Sequence, residues 1–219
     1  MPPKPKFTKE DIAAAAFDII KKGGVSALTA RELGKKLGTS SSPVFTVFAN
    51  MEEVKLAART LALQEFKGFI SDFREYTPAF KRIGMMIVSY GLREPEMFKL
   101  LFMQEHREQR GFQGTLEDLG EVGEVCLELI QRDYQMTSAQ ARLLFEHMWT
   151  HAFGLGAMCA TGVCRFTEEE IGARLGLVFM SLVSFIKSGN VEQVYADVER
   201  GDSYHGRRVG DLSGENGGQ

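Results

Sequence analysis

The sequence predicts an all-helical chain: a three-helix unit over residues 1–50, a helical body over 51–200 and a polar tail over 201–219. Three observations lead there. Apolar residues recur at intervals of three and four, the spacing of one helix face, and no stretch alternates as a half-buried strand would. Only six prolines interrupt 219 residues rich in helix formers. Ser, Thr or Asn stands before several of the apolar stretches, where it can cap a helix start. With 44% apolar residues the chain can bury a sizeable core.

The first helix is expected from Lys9 to Lys22. Thr8 caps it, with Asp11 three residues on. Ile12, Ala16, Ile19 and Ile20, joined by Phe17, make its apolar stripe, and Gly23-Gly24 ends it. Ahead of it, Met1 to Lys6 is a Pro- and Lys-rich arm expected to lack order on its own.

The stretch Thr29 to Phe48 reads as helix, tight turn, helix. Thr29 caps the first helix, and Glu32 completes a capping box. Leu33 and Leu37 share one face, and Gly34 lies on the same side, where a neighbouring segment can cross closely. Gly38 ends the helix, since a left-handed C-cap suits glycine. Ser40 can cap the next helix, and Pro43 falls in its first turn. Val44 and Val47 turn back toward Leu33 and Leu37, leaving Ser41, Ser42, Phe45 and Thr46 outside. Two short helices joined by such a turn form either a helix-turn-helix, whose second helix enters the major groove, or a helical hairpin that only packs a core.

Asn50 with Glu53 starts a long helix through Val54, Leu56, Leu61, Leu63, Phe66 and Phe69 to about Phe73. Tyr76-Thr77-Pro78 breaks the chain, and Pro78 opens a helix to about Leu92. Pro95 opens a short helix, EMFKLLFMQE. Gly111 to Gly114 reads as a loop, followed by a helix from Leu116 to Tyr134. Thr137-Ser138 caps a helix reaching Thr161-Gly162. Thr167 and Glu170 form a capping box for a helix to about Lys187, and a last short helix spans Val191 to Glu199. The Gly-rich tail from Gly201 is expected to be disordered.

The net charge of −3 hides an asymmetry: residues 1–46 hold eight Lys/Arg against four Asp/Glu, and the remainder 18 against 25. A basic N-terminal module on an acidic body fits local phosphate binding. Cys126, Cys159 and Cys164 show no metal or CxxC spacing, and their odd number fits reduced thiols in a cytoplasmic protein. No signal peptide precedes the first helix and no apolar run of about 20 residues exists, so no membrane contact is expected.

In order and spacing, Thr29, Arg31, Gly38-Thr39-Ser40, Phe45-x-x-Phe48 and Asn50 resemble the DNA-binding domain of the TetR family of bacterial regulators. The resemblance runs from Phe7 to about Leu63, about a quarter of the chain. It departs at Phe45, where the family usually has a Tyr that reaches a phosphate, and at Met51, where a Lys usually opens the next helix. It implies a homodimer, usually a repressor, on a palindromic double-stranded DNA operator, released by a small molecule in the C-terminal domain. The DNA-binding residues expected are Thr29 and Arg31 from the first helix of the motif, and Ser40, Ser41, Ser42, Thr46 and Val44 near the bases, unless Val44 is wholly core. Phe45 is placed against a thymine methyl, and Lys35, Lys36 and Lys55 on phosphates.

The last two long helices carry small residues: Ala152, Gly154, Gly156, Ala157, Ala160, Gly172, Ala173 and Gly176. These allow close helix approach, either inside a monomer or in a four-helix dimer interface. The resemblance implies the interface. Trp149 to Gly154 also resembles the Trp-x-x-x-x-Gly signature of many TetR-family ligand domains, with Phe153 where a His is common. Met85, Met86, Tyr90, Phe98, Phe102, Met103, Trp149 and Phe153 are therefore candidate ligand-binding residues for an apolar or aromatic effector, or else plain core. His147 and His151 share a helix face without a third ligand, so no metal or cofactor is expected. No E-x-x-H pair supports a helical-bundle enzyme. An interaction adaptor that has lost specific DNA binding is the alternative to a regulator.

Overall fold

The computed structural model describes residues 6–105, 111–191, 194 and 196, and among them it contains nine α-helices and no strand. The helices are α1 (Lys9–Gly23), α2 (Ala30–Lys36), α3 (Met51–Phe69), α4 (Ala79–Arg93), α5 (Pro95–Phe102), α6 (Phe112–Leu119), α7 (Glu121–Tyr134), α8 (Ser138–Ala160) and α9 (Glu168–Lys187). The chain divides into two compact units, Met1–Val178 and Phe179–Gln219, the boundary falling inside α9. No described helix is long and apolar enough to cross a membrane. The arm over 1–5 and the tail from Gly201 lie outside the described residues. Of the short helix expected over Val191–Glu199, residues 191, 194 and 196 are described, and they are helical.

In the first unit, α1 begins at a complete capping box. The Asp11 N–H donates to Thr8 Oγ1 at 3.1 Å, and the Thr8 N–H donates to Asp11 Oδ2 at 2.9 Å. Ile12, Ala16 and Ile20 are fully buried where α1 lies along α3. The buried face of α3 is Val54, Ala58, Ala62 and Phe66, one residue per turn, and Leu56 is 63% exposed. The two alanines let the helices approach, which a search for large apolar side chains overlooks. α3 ends at Phe69, and a 3₁₀ turn over Ser71–Glu75 follows in place of the longer helix expected.

α5 is held at both ends. At its start, Lys21 Nζ lies 2.6 Å from Glu65 Oε2 and 3.2 Å from Glu94 Oε2, tying α1 to α3 and to the corner between α4 and α5. Gly24, at φ +77°, leaves room beside it: a Cβ there would lie 2.5 Å from Glu96 Oε2. At the other end, Arg59 Nη2 donates to the Leu101 carbonyl at 3.1 Å.

α4 and α8 pack closely along their length. A Cβ on Gly91 would lie 2.5 Å from the Gly156 carbonyl oxygen, and one on Gly156 would lie 2.7 Å from the Phe98 ring. Part of the small-residue stripe on α8 thus serves internal packing, with Ala152 and Ala160 also buried. Gly154 and Gly176 meet nothing within 4 Å. The single helix expected over Leu116–Tyr134 is two. Gly120, at φ +51°, breaks it, and the preceding segment, expected as a loop, forms α6. On α9, Ile171 and Leu175 are buried in the first unit, with Leu175 Cδ1 near Gly84 on α4. In the second unit α9 continues to Lys187, with Ile186 buried and Met180 and Phe185 exposed.

Gly91→Ala is expected to force α4 and α8 apart and to cost about 1–3 kcal/mol, read as a lower urea midpoint. Gly68→Ala, exposed on α3 with nothing within 4 Å of an added Cβ, should be neutral or gain up to about 1 kcal/mol of helix propensity. Equal effects at the two positions would contradict the close pairing.

The Lys21 cluster also sets a pH dependence. Burial raises the Tyr90 phenol far above its usual range, and the Glu65 and Glu94 charges add to the shift. Burial lowers the Lys21 ammonium, but its bonds to Glu65 and Glu94 outweigh this, for a net rise. Groups raised on folding contribute stability below their unfolded pKa, near about 10, and lose it as pH climbs toward the folded value. The urea midpoint should be flat from about pH 7 to 9 and fall above about 10, and Tyr90→Phe should make the fall shallower.

Candidate nucleic-acid interface and apolar cavity

The α2 region is built on local bonds. Thr29 Oγ1 accepts from the Glu32 N–H at 3.2 Å. Instead of returning the bond, the Glu32 carboxylate lies 3.9 Å from Lys35, so the expected capping box is only half made. Gly38 takes φ +65°, and the Thr39 N–H donates back to the Gly34 carbonyl at 2.9 Å, closing the helix. The turn then crosses Gly34 so closely that a Cβ would lie 2.9 Å from the Ser40 carbonyl carbon.

The following rod is a 3₁₀ helix over Ser42–Thr46, with Pro43 in its first turn. Ser, Val and Thr are poor helix formers and the segment is too short to nucleate a longer helix. Ser41, not Ser40, occupies the cap position, and it makes no side-chain cap bond. Val44 is fully buried and Phe48 nearly so, which anchors the rod. Ser40, Ser42, Phe45 and Thr46 are exposed and Ser41 is half-buried; Phe45 is 45% exposed. Thr46 Oγ1 donates to the Pro43 carbonyl at 2.7 Å. Thr29 is exposed but already engaged as a cap.

The cations around this surface differ. Arg31 is exposed, with no ion pair seen for it among the described residues. Lys36 Nζ lies 2.9 Å from Asp18 Oδ2, and Lys55 Nζ 3.2 Å from Glu52 Oε2. α3 starts at Asn50, whose Oδ1 accepts from the Glu53 N–H at 3.0 Å. Glu53 Oε2 in turn accepts from the Ala49 N–H at 2.9 Å, one residue earlier than a standard box.

A cavity of about 250 Å³ lies among α3, α5, α6 and α8. Arg59 and Leu63 come from α3, Phe102 from α5, Phe112 and Thr115 from α6, and Trp149 and Phe153 from α8. The rings interlock: Phe102 meets Trp149 edge-on at 5.7 Å, and Phe98 lies behind them, 5.1 Å from Phe102 and 6.0 Å from Phe153. Three of the eight candidate ligand residues, Phe102, Trp149 and Phe153, therefore line this cavity. Phe98 backs its wall, packed over Gly156. Tyr90 is fully buried, its hydroxyl donating to Glu65 Oε1 at 3.4 Å. Met86 is core, Met85 approaches Gly172 and Met103 is exposed.

Sequence reading did not pick out Arg59, Phe112 or Thr115. Arg59 stands four residues before Leu63, on one face of α3, and that spacing was the available signal. Phe112 and Thr115 sit in a segment taken for loop and helix start.

A second depression of about 520 Å³ lies between the Tyr76–Ala79 corner and Arg132, Asp133 and Tyr134. His147 is exposed, and His151 is half-buried with its Nε2 enclosed and lacking a hydrogen-bond partner. No cluster of three His, Cys, Asp or Glu able to hold a metal occurs among the described residues. Burial pushes the Cys126 thiol up to about 12 and raises Cys159 as well, which disfavours the reactive thiolate at both. No protein-family model matches the chain, and no curated protein matches it.

Proposed function

We propose that this chain is a homodimeric DNA-binding regulator of the TetR type, a repressor that a small ligand releases from a palindromic operator. One observation carries the reading: a short rod after a glycine turn buries Val44 and Phe48 while Ser40, Ser42, Phe45 and Thr46 face outward. Hydroxyls and an aromatic edge suit a major-groove surface, where hydroxyls bond base edges and apolar groups meet thymine methyls. Arg31 supplies a phosphate contact beside it, and Lys35 a second. Two copies related by a two-fold axis would set their rods about 34–36 Å apart, one turn of DNA.

The apolar surface of the last long helices supports self-association. In the first unit Met158 and Leu177 are exposed, Leu177 at 72%; in the second, Met180 is 65% exposed. The ligand would enter the cavity beside α5. That helix is tied to α1 through Glu94 and Lys21, so its position bears on the DNA-reading unit. To release DNA, a ligand must bind the DNA-incompetent arrangement more tightly than the competent one.

The adaptor reading is favoured by one set of contacts: Asp18 and Glu52 engage Lys36 and Lys55, reducing the charge offered to phosphates. Salt-dependent binding to DNA selected from a random pool separates the two. A regulator shows a log–log salt slope of several units, and an adaptor binds no DNA at any salt.

Arg31→Ala should weaken binding to the selected DNA by about 1–3 kcal/mol and lower the salt slope by about one, with an unchanged urea midpoint. Asp18→Asn, which releases Lys36, should strengthen binding and steepen the slope. Gel-shift titration of both variants, finding no change in either, would refute the interface.

A further inference from the structure

We infer that Cys159 and Cys164 form a reversible oxidation site, a dithiol that a hydroperoxide converts to a disulfide across the link between α8 and α9. It stands apart from the regulator reading, and its test involves no DNA. Both thiols are free in the structure. Cys159 sits in the last turn of α8, and Cys164 lies in the link that follows. Gly162, at φ +74°, reverses the chain between them. The Cys164 N–H then donates back to the Met158 carbonyl at 3.2 Å. That carbonyl adjoins Cys159, so standard backbone dimensions keep the two Cα atoms within about 7 Å. A disulfide spans about 4.4–6.8 Å between Cα atoms.

The side chains converge as well. The Phe166 N–H bonds to the Cys159 sulfur, which draws that thiol toward the link. Burial raises the Cys159 thiol, and the charge of Cys164 adds to the rise, so the two sulfurs feel each other. Cys126 is remote from this arrangement, buried to 1% exposure on α7.

Exposure sets the order of events. Cys164 is half-buried and Cys159 only 6% exposed, so peroxide meets Cys164 first. With hydrogen peroxide, the Cys164 sulfur attacks one oxygen. An S–O bond forms as the O–O bond breaks, and the departing hydroxide takes the thiol proton to give water. The Cys159 sulfur then attacks the Cys164 sulfur. An S–S bond forms as the S–O bond breaks, and the hydroxide released takes the Cys159 proton. Two thiols and one peroxide become one disulfide and two waters, with two electrons passing from sulfur to oxygen. A nearby second thiol intercepts the sulfenic acid before it oxidises further to the irreversible sulfinic acid. The bond would fasten the end of α8 to the segment that leads into the Thr167 cap of α9, and a thiol reductant would release it.

The test treats the folded full chain with hydrogen peroxide, then blocks free thiols with iodoacetamide in denaturant without reductant. Trypsin cuts after Arg142 and Arg165, so both cysteines fall in one peptide, residues 143–165. That peptide should lose the mass of two hydrogens and carry no blocking group on either cysteine, while Cys126 remains blockable. Dithiothreitol should restore both thiols. Cys159→Ser should let Cys164 proceed to the sulfinic acid, and Cys164→Ser should leave Cys159 reduced. Cys164 gathering as sulfinic acid in the unmutated chain with Cys159 still free overturns the proposal. So does a bond to Cys126 or to a second chain, or three thiols surviving the peroxide. These readings come from the unmutated protein and hold even if a variant fails to fold.

Discussion

Lys21 holds two carboxylates from different parts of the first unit, and that bridge links α1, beside which α2 lies, to the helix that walls the cavity. Glu65 comes from α3 and Glu94 from the corner where α4 gives way to α5. All three side chains are about one-third exposed, so the bridge contributes orientation more than stability. Ion pairs at such exposure are worth about 0–1 kcal/mol each. The stability of the contact comes from Ile12, Ala16 and Ile20 on α1 and the Val54, Ala58, Ala62, Phe66 face of α3. Burying one large aliphatic side chain contributes about 1.5–3 kcal/mol. Apolar packing thus holds α1 against α3 and seats α5 through Met97, Phe98, Leu100 and Leu101, while the charges orient the corner at its start.

Much of this was legible in the sequence where the cause is local. The caps at Thr8, Thr137 and Thr167 involve a side chain and an amide three residues away, and all three form as complete boxes. Gly38 takes the positive φ expected of it, and Gly34 admits the crossing turn. The all-helical class follows from the same local rules. Where tertiary contacts decide, spacing misled. The α3 stripe runs on alanines because α1 approaches closely, while Leu56, larger and more apolar, points to solvent. Gly120 falls inside the one helix that spacing predicts, yet its positive φ ends α6. The cavity shows the same division. Aromatic richness pointed to the correct region, but which ring faces the void depends on how α5 packs across α8. Tyr90 and Phe98 are therefore covered while Phe112 is not.

The small residues of α8 illustrate how one pattern serves two purposes. Gly156 lies under Phe98 and against Gly91, so any larger residue there meets a ring or a backbone. Gly154, two residues away, points elsewhere and meets nothing within 4 Å. A helix turns by about 200° over two residues, so alternate positions face opposite sides. The stripe therefore divides between an internal packing side and an outward side that also carries Met158. Exposed apolar residues gathered on one surface mark a partner more often than chance. A second copy of the chain is the occupant the proposed function assigns.

Under that function, the weakness of the Lys21 bridge is an advantage. Coupling between two binding sites is typically about 1–3 kcal/mol. A link much stronger than this would lock α5 against α1 whatever the cavity contained. A much weaker one would pass nothing on. Two ion pairs of about 0–1 kcal/mol each lie within reach of that range, and a dimer doubles the total. The core beneath, built from Phe66, Phe98 and Leu100, is buried and close-packed, so it resists gradual deformation. Phe98 and Leu100 belong to α5 itself, so the change the proposed function requires is a shift of α5 together with this packed cluster rather than a gradual bend.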